Sequence, residues 1–269
     1  MALYQGRALQ TERRRRPSSL PRRLVRIAAL IALVAVLAHV PWGALRGRIA
    51  VVNEVRVRGA HYLDSAHLLG IAGIRRGDDL FRVDLARARQ ALLLQSRIAE
   101  ARVTRRPLRG IEIAVVEREP VLLVPHGVPW ELDSTGVLLA PLQRGVVADV
   151  PLLVGAGLAA MRAGSRVRSP EVLRGLAWAR SLARRELQLS GQVSEIDVSD
   201  PLRTALTLLS GTRVLAPSWP PSLERLSALR VVLNDLEHKG TPAEEVDVRF
   251  DRQVIVRPAA VVGAEPVTG

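Results

Sequence analysis

Cysteine is absent from this 269-residue chain, and lysine occurs once, as Lys239. The lack of cysteine excludes thiol nucleophiles, disulfide-stapled scaffolds and zinc sites with cysteine ligands. Aromatic residues make up 3% of the chain, and the basic N-terminal region contains only Tyr4, so it lacks the stacking set of a nucleic-acid binder. Apolar residues make up 48%, which is enough for the chain to fold around a core.

The net charge of +13 is unevenly distributed along the chain. Residues 1–26 contain eight arginines and a single acidic residue, Glu12. More than half of the net charge therefore lies in about a tenth of the chain, and basic and acidic residues nearly balance in the rest. Because the positive charge is concentrated in one segment, the net charge of the chain does not indicate a protein that binds nucleic acid.

An apolar segment follows the basic residues. Residues 27–45 contain no Asp, Glu, Lys or Arg, and as a helix they would extend about 28 Å, close to the hydrocarbon thickness of a bilayer. The positive-inside rule places residues 1–26 in the cytoplasm as a basic tail and the chain from Arg46 onward outside. We predict a single transmembrane helix at 27–45. The alternatives are a buried helix of a soluble protein and a cleaved signal peptide, which also leaves the remainder outside.

Residues 49–118 have the pattern of a small domain. Apolar and polar residues alternate at 51–58, 99–104 and 111–116, which predicts three strands with one buried face each. Gly59 ends the first strand, and Asp64 and Asp84 are the predicted N-caps of two short helices. The predicted order of elements is β-α-α-β-β.

Residues 119–258 form a second, larger unit with mixed patterns. Helical spacing of apolar residues predicts helices at 171–187 and 223–236, and short apolar stretches predict strands at 193–198, 204–209 and 212–215. A final strand is predicted at 246–250, extended by 254–256, and residues 259–269 are predicted to be a flexible tail. The fold class is α+β.

No residues of the chain form a convincing catalytic pattern. The five histidines lack metal-binding spacing. Glu117 and Glu119 would share one face of a strand, but they fit a strand end that leads into the next domain better than an acid–base pair. Residues 155–160 match G-x-G-x-x-A, yet Gly164 and Pro170 would end any helix too early for a dinucleotide site, so we predict a loop. We infer no catalytic residue, no metal and no cofactor.

The first unit contains a run of signature residues, namely Ala101, Val103, Arg105 and Pro107, followed by Ile111, Ile113, Val115, Glu117, Arg118 and Pro120. With these residues the unit resembles the POTRA domain of the FtsQ/DivIB family of bacterial cell-division proteins. Residues 246–250, VDVRF, resemble the terminal strand of the family's second domain. The similarity runs through the whole chain in order, and the preceding single span agrees with it.

This resemblance implies a membrane-anchored division protein. Two domains would lie on the extracytoplasmic side of the inner membrane, at the division septum. They are the POTRA-like domain at 49–118 and an FtsQ-type β domain with an extended sheet at 119–258. The protein would act as a non-enzymatic scaffold that recruits and regulates an FtsB/FtsL complex and, through it, septal peptidoglycan synthases. No small-molecule substrate and no nucleic acid would be involved.

The pattern also predicts where a partner binds. A strand at the edge of a sheet presents unpaired backbone groups to which another strand can add, and the final strand is the best candidate. Phe250 would be an apolar anchor, and Arg249 and Arg252 could meet acidic side chains. The predicted partner-binding residues are Val246, Val248, Arg249, Phe250, Arg252, Val254 and Val256. The alternative is a structural edge that its own charges protect.

Two rival functions are weighed against this hypothesis. A POTRA-bearing protein of an outer-membrane assembly or secretion system would carry several POTRA repeats, and the sequence has one. An exported hydrolase would need a nucleophile or a metal constellation, which the sequence does not offer. We therefore favour the division scaffold.

Overall fold

The structure is a computed structural model that describes residues 20–40, 51–106, 110–142, 147–158, 160–251 and 253–259. The chain divides into two units, Met1–Val51 and Val52–Gly269. The first unit contains helix α1 (Leu20–His39), and the second contains the remaining elements described below.

Helix α1 is apolar on every side after its first turns. The described side chains at 23–39 are all exposed, including those of Leu24, Leu30 and Val36. Among the described residues, we find no helix with both the length and the apolar character needed to cross a membrane. Residues 41–45 of the predicted span and residues 1–19 of the predicted basic tail lie outside the described residues.

The first domain has the predicted β-α-α-β-β order. Its elements are β1 (Glu54–Arg58), α2 (Ser65–Ala72), α3 (Leu85–Leu93), β2 (Ile98–Arg106) and β3 (Gly110–Glu117). Asp64 accepts a hydrogen bond from the Ala66 N–H (3.2 Å) and Asp84 from the Arg87 N–H (3.0 Å), so both predicted N-caps are confirmed. The sheet order is β1-β3-β2, with β1 parallel and β2 antiparallel to β3.

Two glycines allow β1 and β3 to lie in contact. Gly59 (φ +78°) and Gly110 (φ +124°) adopt a backbone conformation that L side chains rarely take. A Cβ on Gly59 would lie 2.0 Å from the Val115 carbonyl oxygen, and a Cβ on Gly110 would lie 2.0 Å from that of Glu54. The glycine that was predicted to end the first strand is therefore required there by a close backbone approach.

The second domain is built on one nine-stranded sheet, which agrees with the extended sheet that the family resemblance implies. Its strands are β4 (Pro120–His126), β5 (Val128–Asp133), β6 (Leu138–Leu139), β7 (Leu152–Val154), β8 (Val193–Asp197), β9 (Arg203–Leu208), β10 (Arg213–Pro217), β11 (Ala243–Asp247) and β12 (Ile255–Pro258). The strand order is β12-β11-β10-β9-β8-β7-β4-β5-β6. The helices are α4 (Pro170–Leu182) and α5 (Leu223–His238), with a short 3₁₀ helix at Ser190–Gln192.

Helices α4 and α5 bury apolar residues that belong to the same core as the sheet. Trp178 of α4 and Leu226 and Leu229 of α5 are buried in one cluster with sheet residues such as Leu153 and Ile196. Burial of a side chain of this size stabilises the fold by about 1.5–3 kcal/mol. The helical spacing that predicted these two helices therefore marks their core-facing sides.

Two predicted elements differ from the observed ones. The helix predicted at 171–187 ends at Leu182, and Leu187 reaches the core from the following loop, next to Gln188, whose φ is +51°. The final strand predicted at 246–256 is two strands, β11 and β12, joined by a turn. The turn begins where the Asp247 carboxylate accepts a hydrogen bond from the Arg249 N–H (3.0 Å), a local bond that competes with strand pairing.

Candidate functional site

The predicted partner-binding residues lie in and around the β11–β12 hairpin, in three different environments. Val246 and Val248 are buried in the core. Strand β11 pairs with β10 on one side and with β12 on the other, so Val246 offers no free backbone edge. Val254 and Val256 are partly buried against the same core. Arg252 lies outside the described residues.

Strand β12 forms one edge of the nine-stranded sheet, and no described segment pairs with its outer side. The opposite edge, β6, is different. The Leu138 N–H donates to the Ser165 carbonyl (2.9 Å), and the Gly164 N–H donates to the Leu138 carbonyl (2.7 Å). A crossing segment thus hydrogen-bonds to β6, whereas no described segment covers the outer side of β12, which is therefore the edge that suits strand addition.

The register shows which backbone groups of β12 face outward. The Ala259 N–H donates to the Pro242 carbonyl (2.9 Å), toward β11. Because these groups alternate in direction along a strand, those of Arg257 and Ile255 also face β11 and those of Val256 face away. Pro258 faces outward as well but has no N–H. An added strand would therefore find a full donor–acceptor pair at Val256 and an acceptor alone at Pro258.

The turn between β11 and β12 presents Phe250. Its side chain is 45% exposed, and the Arg249 guanidinium lies 5.8 Å from the ring centroid. Arg249 donates to both carboxylate oxygens of Asp247, with Nη2 2.6 Å from Oδ2. Hydrogen bonding by Arg249 lowers the pKa of the Asp247 carboxyl and outweighs burial, which raises it. Asp251 forms an ion pair with Arg225 of α5, so ionic contacts fix both sides of Phe250.

The sequence patterns missed two apolar residues near this turn. Leu202 is 84% exposed and Trp219 is 52% exposed, and they lie at the end of the sheet where β9 begins and β10 ends, beside the end of β11. Neither belongs to an alternating or helical pattern. The sequence feature that marks them is a neighbouring proline, since Leu202 follows Pro201 and Trp219 precedes Pro220.

A buried arginine organises the loops that carry these residues. Arg174 of α4 donates from Nη1 to the Asp200 carbonyl (2.9 Å) and to Ser218 Oγ (2.9 Å), and from Nη2 to the Val198 carbonyl (2.7 Å). The Trp178 Nε1–H donates to the Ser218 carbonyl (3.2 Å). The loops before β9 and after β10 are therefore held from inside the domain.

The signature residues of the first domain have structural contacts. Arg105 donates to the carbonyls of Leu80 (2.8 Å) and Val83 (2.7 Å). The Glu117 carboxylate is buried and accepts the N–H groups of His61 (3.0 Å), Tyr62 (2.7 Å) and Leu63 (3.0 Å). Glu119 is exposed. Glu117 therefore holds a loop, and it does not form a carboxylate pair with Glu119.

The remaining sequence motif is a loop. Residues 155–158 and 160, which match G-x-G-x-x-A, form neither a strand nor a helix, and residue 159 lies outside the described residues. Gly155 (φ +87°) lies so close to Ser199 that a Cβ would be 2.4 Å from the Ser199 nitrogen. The glycine is needed for this approach of two loops.

Comparison with protein families agrees with this architecture. The family described as "POTRA domain, FtsQ-type" matches residues 51–118. The family described as "Cell division protein FtsQ/DivIB, C-terminal" matches residues 124–249. Together the two matches cover both domains of the second unit.

Curated relatives with the name cell division protein FtsQ are similar over most of the chain. The protein of Anaeromyxobacter sp. (strain K) is 28% identical over 237 residues, which are 85% of this chain and 80% of the relative. That of Geotalea daltonii is 25% identical over 210 residues, 77% and 75% of the two chains. That of Streptomyces coelicolor is 35% identical over 146 residues, 52% and 53% of the two chains. From its two matched domains, in this order, the chain belongs to the FtsQ/DivIB family of bacterial cell-division proteins.

Proposed function

We propose that this protein is a non-enzymatic scaffold of the divisome that binds a partner by strand addition at β12. The observation that carries the proposal is the contrast between the two sheet edges, since β6 is hydrogen-bonded to Gly164 and Ser165 and β12 pairs with no described segment on its outer side. Backbone pairing supplies affinity, and neighbouring side chains supply specificity. Phe250, Arg249, Ile255 and the exposed Leu202 are the side chains available for this purpose.

The scaffold is proposed to be anchored in the inner membrane by residues 27–45, with its N-terminus in the cytoplasm and both domains outside. The exposed apolar side chains of α1 and the arginines on its N-terminal side support this topology. A membrane anchor raises the effective concentration of partners that share the same bilayer. Anchoring therefore allows an edge of modest length to recruit them.

The proposed partners are bitopic proteins of the FtsB/FtsL type and, through them, septal peptidoglycan synthases. The family membership supports a role in division, and the open edge supports an extended segment as the bound element. A strand held on β12 is restricted to one conformation, so binding can also shift the conformational equilibrium of the partner. Regulation of the synthases would follow from that shift.

Site-specific crosslinking tests this proposal. Because the chain has no cysteine, single cysteines at 246–258 can be introduced without background and crosslinked in growing cells to an FtsB-type partner that carries one cysteine. We expect crosslinks at exposed positions 250, 255 and 257 and none at buried position 248. Crosslinks at exposed positions on β1 or α5, together with none on β12, would show that the partner binds elsewhere.

A backbone variant separates strand addition from side-chain contact. Val256→Pro removes the outward N–H, whereas Val256→Thr keeps it and retains a β-branched side chain. We expect the proline variant to weaken partner binding about tenfold and the threonine variant to leave it within a factor of two, from the loss of one backbone hydrogen bond. Equal affinities of the two variants would contradict strand addition. Circular dichroism of both variants verifies the fold.

A further inference from the structure

A cleft lies at the end of the nine-stranded sheet opposite to Phe250. It has a volume of about 680 Å³, which is within the usual range of ligand sites. The cleft is located where β4 begins, beside the last turn of α4 and the 3₁₀ helix Ser190–Gln192. Its apolar lining comes from Val121, Pro151, Leu176, Ala179 and Leu182. The cleft is thus distinct from the β12 edge in position and in character.

Three arginines line the same cleft. Arg180 lies in the last turn of α4, and Arg184 and Arg185 follow the end of that helix. All three are exposed, and among the described residues no ion pair or hydrogen bond involves their guanidinium groups. Among the described residues that line the cleft, Asp149 is the only acidic one. The cleft therefore combines an apolar floor with an excess of positive charge.

This combination selects one class of ligand. A polyanionic glycan or a free phosphate would be bound by polar groups and would gain nothing from an apolar floor. A peptide segment with an apolar side chain beside carboxylates matches both features, because guanidinium groups bind carboxylates in bidentate geometry and the apolar side chain leaves water. Exposed arginines without partners have no internal ion pair to break on binding.

We propose that this cleft docks an extended acidic peptide segment of a partner protein. The segment places an apolar side chain on the floor formed by Val121, Ala179 and Ala183 and pairs its carboxylates with Arg180, Arg184 and Arg185. This site does not rest on strand addition at β12, and each can fail without the other.

Peptide selection against the purified full-length chain tests the proposal. The probe is a phage-displayed library of random dodecapeptides, depleted first on the variant Arg180→Glu/Arg184→Glu/Arg185→Glu. The control variant is Arg102→Glu/Arg162→Glu/Arg168→Glu, which changes the net charge equally at exposed arginines that do not line the cleft. A third variant, Ala183→Trp, fills the cleft and keeps all three arginines.

We expect the selected peptides to contain at least two acidic residues near an apolar residue. In fluorescence anisotropy, the cleft variant should bind a selected peptide at least about tenfold more weakly, while the control variant should change the affinity less than threefold. Ala183→Trp should also weaken binding about tenfold. Raising the salt concentration should weaken the wild-type complex.

Two outcomes would overturn the proposal. One is the enrichment of peptides without acidic residues, or of peptides that bind the cleft and control variants equally. The other is binding of a polyanionic glycan such as heparin that is lost in the cleft variant, with no peptide selected. That result would assign the charges to a saccharide. Val256→Pro should bind the selected peptides as the wild type does, which keeps this test independent of the β12 edge.

Discussion

Arg97, just before β2, forms an ion pair through Nη2 with Oε2 of Glu131 on β5, and the two residues are only 4% and 3% exposed. The same guanidinium lies 5.5 Å from the centroid of the Tyr62 ring and donates to the Ala140 carbonyl (3.3 Å). A second pair joins Arg118 to Asp133 (2.7 Å). These contacts join the three-stranded domain to the nine-stranded domain.

We predict that Glu131→Ala lowers the free energy of unfolding by about 3–5 kcal/mol, because it leaves the buried Arg97 charge without a carboxylate partner. The double variant Arg97→Met/Glu131→Leu should lose less stability than the sum of the losses in Arg97→Met and in Glu131→Leu. Urea unfolding of the full-length chain, followed by tryptophan fluorescence, measures these values. Asp235→Ala, which breaks the exposed pair with Lys239, should change stability by less than about 1 kcal/mol. Additive losses in the double variant would show that the two side chains do not act as a pair.

The carboxylate of Glu117 is predicted to stabilise the loop at 61–63. Glu117→Gln removes the charge that accepts three backbone N–H groups and should cost about 2 kcal/mol. Hydrogen exchange at the amides of His61, Tyr62 and Leu63 should accelerate in the variant. Glu119→Gln is the matched control, since Glu119 is exposed two residues away. Unchanged hydrogen exchange at these three amides would show that Glu117 does not stabilise the loop at 61–63.

The stability of the protein should fall in acid partly because of Asp133. Burial raises the pKa of this carboxyl. Hydrogen bonds from the Val137 N–H, Arg118 and Thr135 lower the pKa by more than burial raises it, so the folded-state pKa is below its ordinary value. A depressed folded-state pKa contributes stability above the unfolded pKa of about 3.9 and loses it as the pH falls through the folded value. Below about pH 4 the wild type should therefore lose stability more steeply than Asp133→Asn. Parallel slopes from pH 5 to pH 2 would contradict the assignment.

If the proposed function holds, Phe250→Asp should abolish capture of the proposed division partner without unfolding the domain, because Phe250 is half-exposed and its replacement leaves the core intact. Loss of a central aromatic anchor costs 2 kcal/mol or more, which corresponds to about 30-fold in affinity. Pull-down and surface plasmon resonance with an FtsB-type partner measure the effect. Leu209→Asp, at the other end of the sheet and also exposed, should bind normally. Wild-type affinity of Phe250→Asp would rule out the turn as an anchor.

Much of the local structure could be predicted from the sequence. The alternation at 99–104 and 111–116 gave β2 and β3, and Asp64 and Asp84 were recognised as N-caps before apolar stretches. These features depend on residues within one or two turns of the chain, so periodicity and side-chain chemistry are sufficient to find them.

The partner-binding role of the candidate site stays a prediction. The alternation placed Phe250 on one face of a strand with Val246 and Val248, but Phe250 is exposed on a turn, the two valines have buried side chains, and the single final strand is a hairpin. Alternation alone does not distinguish a central strand from an edge strand. β11 ends at the hydrogen bond between Arg249 and Asp247, and the alternating pattern, which continues past this point, does not predict that end.

By itself the sequence determined the element types, the caps and the order of domains, since each of these depends on neighbours along the chain. Only the tertiary structure decided which sheet edge is open and which buried charges meet. Arg97 and Glu131 are 34 residues apart, and β12 is an edge because of how nine strands are ordered. Such pairings arise between distant segments whose burial is decided together, and no local pattern records them.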